Sequence, residues 1–170
     1  MADPTPRVSA AVAADAGEIW TVQLAAFVAV AQRYDDVYLP PLVEPLLSVT
    51  AAIEEGRVLV ARLDSRIVGE GSGPPGVASR ARIVGAVRTR LDDGVCHIGR
   101  LVVAPDVHGR GVGSALLSAA EERHRAQVRA FALFTGAGSA ESVALYRRHG
   151  YVVERTEPGT PDMVHLSKRA

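Results

Sequence analysis

The sequence predicts a single domain of mixed α/β class. Three observations point there: a length of 170 residues, enough for one core and too short for two ordinary ones; helical periodicities that alternate with β-rich runs; and a strand-helix-strand crossover between residues 95 and 135. Lys+Arg and Asp+Glu balance at 19 each, with no strong concentration of one sign, which disfavours a nucleic-acid partner. The single cysteine, Cys96, cannot form an internal disulfide or a cysteine-rich metal site. The first residues, MADPTPR, lack the basic and apolar regions of a signal peptide, and no stretch is read as long and apolar enough to span a bilayer. The expectation is a soluble cytoplasmic protein without a membrane partner.

Residues 1–7 read as a mobile tail and RVSA as a first short strand. Asp15 and Glu18 have the spacing of a capping box, and Trp20, Leu24, Phe27, Val28 and Ala31 recur at helical intervals, predicting a helix over 15–32 with that face buried. YDDVYLPPLVEP is broken by three prolines and predicts a loop. It leads into a second helix ending at Gly56, with Leu46, Leu47, Val49 and Ile53 inward, and RVLVARLD then reads as a strand.

RIVG occurs at 66–69 and again at 82–85, separated by a Gly/Pro/Ser-rich spacer. Four residues are too few for a repeat unit, so 70–81 reads as a loop inserted between two strands. ARIVGAVRTRL and GVCHIGRLVVA, joined at DDG, predict a hairpin. Val112, Ala115, Leu116, Ala119 and Ala120 mark one face of a helix running to about 126, and RAFALFT is the next strand. A short helix over 139–149 stops at Gly150, a left-handed cap, and YVVERTE and MVHLSK close the chain as two strands around PGTPD.

The stretch APDVHGRGVGSALL carries glycines at 109, 111 and 113 and turns at once into a helical pattern. A strand feeding such a turn leaves backbone N–H groups unpaired at the helix start, where the helix dipole also favours negative charge. Glycines admit close approach of phosphate oxygens. The chain has no GKS or GKT, and GRGVG lacks the third glycine of the dinucleotide fingerprint at its offset, so a nucleotide-binding domain ranks last. A tight strand-to-helix turn without a ligand is the plainer alternative.

LVVAPDVHGRGVGSALL resembles the acyl-coenzyme A motif of the GNAT superfamily of N-acetyltransferases, with His108, Gly111 and Gly113 on its pattern positions. SAESVALYRRHGYVV resembles the family's second motif, a helix that carries a tyrosine and ends in a Gly-aromatic pair; DAGEIWTVQLAAF is a weaker third match. The resemblance spans nearly the whole chain except the 70–81 loop. It implies a twisted mixed sheet of six or seven strands, flanked by about four helices and splayed between the fourth and fifth strands near Val103 and Ala132. It implies transfer of an acetyl group from acetyl-coenzyme A to a primary amine of a small molecule or peptide, with no metal, and allows a homodimer. A non-catalytic acyl-coenzyme A binding module of the same fold is the alternative.

The same resemblance implies site roles. The backbone of Leu101, Val102 and Val103 would pair with the pantetheine arm. The segment His108, Gly109, Arg110, Gly111, Val112, Gly113 and Ser114 would hold the pyrophosphate, with N–H groups donated from Gly109 to Ser114. His108 stands where the family has Arg or Gln, and Ser139 where it often has Asn. Tyr146 matches the catalytic tyrosine, which would protonate the leaving thiolate. His97, eleven residues before His108, falls at a strand position where some members carry a catalytic glutamate. An amine nucleophile with a pKa of about 10.4 must lose a proton, and a histidine near 6.5 suits that task. The plainer readings are a core tyrosine and a strand histidine facing a neighbour. A bulge in the His97 strand, common in the family, would disturb simple alternation, so that His97, Gly99 and Leu101 need not share a face. Direct attack would then follow, with strand N–H groups stabilising the oxyanion. Cys96 and His97 together make a weak metal motif without a paired histidine. Tyr34, Asp35, Asp36 and Tyr38 are the loop residues that could meet a cationic amine, although polar loop residues are usually merely exposed.

Overall fold

The computed structural model describes residues 5–63 and 81–170. Its strands are β1 (Arg7–Ala10), β2 (Val58–Leu63), β3 (Arg82–Asp92), β4 (Val95–Val103), β5 (Ala130–Gly136), β6 (Val152–Glu157) and β7 (Met163–Arg169). The helices are α1 (Ala16–Tyr34), α2 (Pro40–Val43), α3 (Leu46–Glu54), α4 (Val112–His124) and α5 (Ala140–Arg148). The strands form one sheet in the order β1-β2-β3-β4-β5-β7-β6, antiparallel except for the parallel β4–β5 pair. The first RIVG and the inserted loop lie outside the described residues.

Local chemistry explains the elements. Asp93 and Gly94 both have positive φ (41° and 69°), the type I′ geometry whose twist matches the β3–β4 hairpin. Gly150, at φ 87°, ends α5 in a Schellman motif: its N–H bonds to the Arg147 carbonyl and the Tyr151 N–H to the Tyr146 carbonyl, at 3.0 and 3.1 Å. The apolar contact of that motif is the edge-on pair of Tyr146 and Tyr151, 6.0 Å between centroids.

Helices cover both faces of β3. Arg88 and Thr89 are successive strand residues and so point to opposite faces. Thr89 meets His124 of α4 at 3.0 Å, whereas Arg88 meets Glu44, which Gln23 of α1 also holds. Leu116 and Leu117 of α4 are fully buried, each contributing about 1.5–3 kcal/mol.

Several expectations are corrected. Asp15 does not form a capping box with Glu18: its carboxylate accepts from the Val12 N–H behind it and from Arg62, while Glu18 accepts the Ile83 N–H at the start of β3. The buried face of α1 is Ala16, Ile19, Val22, Gln23 and Ala31; Val28 is exposed, and Trp20, Leu24 and Phe27 are half-buried. The first turn is anchored to β3 through Glu18. In α3, Val49 and Ile53 are buried as expected, but Leu46 and Leu47 face out. The helical stretch Ala13–Tyr34 is long and apolar enough by composition to cross a membrane, which was not expected of any stretch from the sequence. An apolar helix covering a sheet has the same composition, and α1 packs on β3 and β4.

Candidate active site

The parallel β4–β5 ladder stops early. Its pairs are Val95↔Ala130, Cys96↔Phe131 and His97↔Ala132; beyond them β4 stays paired to β3 and β5 to β7, but not to each other, as they run on to Val103 and Gly136. The sheet therefore opens at Ala132 on β5, as expected, and at His97 on β4, six residues earlier than the Val103 expected from the sequence. A bulge sits at the same place. Between Gly99 and Val102 β4 uses one residue more than β3 uses between Arg88 and Ala86, and Arg100 takes a left-handed φ of 49°. His97 and Gly99 share one face; Leu101, beyond the bulge, points to the other.

The open edge belongs to alternate residues. Ala104 donates its N–H to the Val84 carbonyl at 2.8 Å, so strand alternation also turns the backbone groups of Val102 toward β3. Those of Leu101 and Val103 face the opening. Val102 is thus removed from the expected pantetheine-pairing set: its groups belong to β3 and its side chain is buried. The His108 Nε2–H donates to the Val103 carbonyl at 3.1 Å, so the imidazole folds back on the strand end and covers one carbonyl of that edge, leaving the Val103 N–H open.

The glycine turn has the geometry of an anion cradle. Gly109 and Gly111 hold left-handed φ values of 78° and 76°, and a methyl group added at either would meet nothing within 4 Å; conformation demands glycine there, and space does not. At Gly113 neither conformation nor space demands glycine, since a Cβ would meet Leu145 of α5 at an ordinary contact distance of 3.4 Å. The first α-helical bond of α4 runs from Ala115 N–H to the Gly111 carbonyl, leaving the N–H groups of Val112, Gly113 and Ser114 without helical acceptors. Residues 108–111 are exposed, and Arg110 stands beside these donors. The cradle fits a diphosphate, and the open Leu101–Val103 edge fits an extended amide-bearing arm. Gly111→Ala is expected to weaken coenzyme A binding roughly tenfold, because an L-residue in this conformation costs about 1–2 kcal/mol and the turn relaxes to avoid it. Calorimetric titration with coenzyme A checks this.

Two other expected cofactor contacts have protein partners. The Ser114 hydroxyl lies 2.7 Å from His149 Nε2, tying the start of α4 to the end of α5. Ser139 is buried at the start of α5, and its hydroxyl accepts from Arg33 of α1 at 3.4 Å. Only backbone groups at 114 remain directed into the cradle. Tyr34 also differs from expectation, being the last residue of α1, with a buried hydroxyl packed on Gly136 and Gly138. Asp35 adopts the left-handed cap of α1, and Asp36 accepts the Tyr38 N–H in a local turn. These residues terminate a helix.

Tyr146 packs against Tyr151, whereas His97 lines a pocket on the α1 side of the sheet. Tyr146 sits on α5, beside α4, 8% exposed; burial pushes its phenol up to about 12, so it carries its proton at any physiological pH. His97 is half-buried on the α1 side. Cys96 points away from His97 into the core, where burial raises its thiol to about 11, so the two cannot share a metal.

His97 lines a pocket of about 300 Å³ at the mouth of the opening, bounded by Gly99 and Arg100 of β4 and Phe134 of β5. Behind it sits Glu44, which sequence reasoning missed. Its carboxylate accepts from Arg88 (2.7 Å), Arg100 (3.3 Å) and Gln23 (2.9 Å), and its carbonyl accepts from the Trp20 indole (2.9 Å). Burial alone would raise the Glu44 carboxyl; hydrogen bonds from Arg88 and Gln23 and the two arginine charges outweigh it, and the net shift is downward. One signal was present in the sequence: alternation puts Arg88 on the face of the buried Ala86, an unusual place for an arginine without a buried partner.

A splayed mixed sheet, a glycine cradle at a helix start and a second pocket across the same gap define an acyl-coenzyme-dependent transferase fold. The model of the acetyltransferase (GNAT) family matches residues 27–151, and the chain belongs to that family, whose members carry out acetyl-coenzyme A dependent acetyl transfer. Similar solved structures include the GNAT acetyltransferase of Streptococcus pneumoniae (TM-score 0.71, 18% identity, covering 97% of this chain and 99% of that one). The PaiA N-acetyltransferase of Thermoplasma acidophilum, in complex with coenzyme A, gives 0.70 at 13% identity over 98% and 99%. The ribosomal-protein-alanine N-acetyltransferase of Brucella melitensis gives 0.67 at 20% identity over 96% and 99%. No curated protein matches the chain.

Proposed function

We propose that this chain acetylates a primary amine of a small molecule or peptide by direct attack within a ternary complex. The observation that carries the reading is the gap between β4 and β5, which has the glycine turn at the start of α4 on one side and the His97 pocket on the other. Acetyl-coenzyme A, when bound, supplies the thioester as acyl donor. The N–H groups from Gly109 to Ser114 hold its diphosphate, and the open edge at Leu101 and Val103 orients its arm. A free N–H on that edge also stabilises negative charge on the carbonyl oxygen under attack. His97, facing the acceptor pocket, takes the amine proton directly or through water.

Tyr146 faces the leaving sulfur as a hydrogen-bond donor. Full proton transfer from a phenol near 12 to a cysteine-like thiolate near 8.5 would be uphill by about 5 kcal/mol, so donation without complete transfer is the role its burial allows. The test is thiol release from acetyl-coenzyme A across polyamines, aminoglycosides, amino acids and peptide N-termini. Turnover with a subset is expected, falling about 100-fold in His97→Gln. Coenzyme A binding without thiol release from any amine would favour the non-catalytic binding module instead.

A further inference from the structure

We propose that the acceptor amine carries an anionic group, a carboxylate or phosphate, which the His97 pocket receives; this rests on the transferase reading and narrows its substrate class. Four arginines converge on the pocket from three segments: Arg57 ahead of β2, Arg88 and Arg90 of β3, and Arg100 at the β4 bulge. Among the described residues no acidic side chain lines it. The counter-charge is short, because Arg88 and Arg100 share the one carboxylate of Glu44. Arg57 pairs with Glu55 at 2.5 Å through its Nε, and Arg90 has Asp92 only at 3.9 Å, with both Arg90 and Asp92 largely exposed.

Position makes this more than a basic surface. The cations rim the place where β4 and β5 part, facing the acceptor side of the sheet, so they act on whatever molecule presents its amine to the gap. Guanidinium forks match carboxylate and phosphate oxygens in bidentate geometry and repel a second cation. Phe134, 61% exposed on the β5 side, offers an apolar wall for the carbon skeleton between amine and anion. At about 300 Å³ the pocket suits a small molecule or the end of a peptide. Polyamines and aminoglycosides, with several positive charges, are the acceptors it disfavours.

The test uses thiol release with aspartic acid, glutamic acid and short aspartyl and glutamyl peptides, each against its fully amidated counterpart. The amino-acid and peptide arms separate a free metabolite from a protein terminus as the source of the charge. The anionic member of each effective pair is expected to have at least about tenfold higher kcat/KM, a preference that shrinks with added salt and collapses about tenfold or more in Arg90→Glu. Equal rates for charged and amidated amines, or a preference untouched by Arg90→Glu, would overturn the proposal and leave the transferase reading standing. A second measurement needs no turnover: with coenzyme A bound, N-acetylaspartate and its diamide are titrated by NMR. Selective dicarboxylate binding without thiol release from any amine supports the anion pocket and rejects the transferase reading; no selectivity rejects the pocket.

Discussion

Tyr146→Phe is expected to lower kcat by about 100-fold or more while coenzyme A still binds. The substitution removes one hydroxyl and keeps everything that holds the ring. The ring is buried, it meets Tyr151 edge-on, and the backbone carbonyl of residue 146 still receives the Tyr151 N–H that closes α5. Because the cradle and the open β4 edge lie on other elements, binding and turnover separate cleanly in this variant. The pH dependence follows from the sign of the shift. Donation needs the protonated phenol, and burial holds its pKa near 12, so the Tyr146 contribution persists through alkaline pH and is lost only as pH approaches that value. Stopped-flow thiol release from pH 6 to 10 checks this. An alkaline decline below pH 10 that vanishes in Tyr146→Phe would contradict the assignment.

Glu44→Gln is expected to destabilise the fold by about 3 kcal/mol, lowering Tm by about 6–12 °C, because two partly buried guanidiniums lose their shared counter-charge. The Glu44 side chain is only 11% exposed, and it joins the loop between α2 and α3 to β3, to the β4 bulge and to α1. The folded-state pKa lies below the ordinary value of 4.5, so the ion pairs contribute fully above about pH 4.5 and their stabilisation fades as pH falls through the lowered value. Thermal melts from pH 3 to 7 therefore show a steeper acid loss for the wild type than for Glu44→Gln. Parallel slopes would mean that Glu44 is no better paired in the folded state than in the unfolded one.

Much of the architecture was legible because it is encoded locally. Asp93–Gly94 requires positive φ and closes one hairpin. Gly150 after YRRH stops α5 and sets the orientation of Tyr146 through the residue that follows it. Gly109 and Gly111 require left-handed backbone and so announce the cradle. Charge placement was not legible. The residues Tyr34, Asp35, Asp36 and Tyr38 read as a merely exposed loop with a cationic-amine site as the alternative; Tyr34 and Asp35 end α1, Asp36 shapes a turn, Tyr38 is exposed, and the pocket itself is lined by arginines.

The sequence by itself determined the order of elements, the turns that join them and the glycine cradle, since each depends on residues within a few positions of one another. Tertiary structure alone decided which groups face the opening. The extra residue at Arg100 reverses the alternation of β4, sending His97 to one face and Leu101 to the other. The end of pairing at His97↔Ala132 sets where the gap begins. Arg57, Arg88, Arg90, Arg100 and Glu44 become neighbours only through strand register, which no local pattern carries, because register is an agreement between distant segments about the same core.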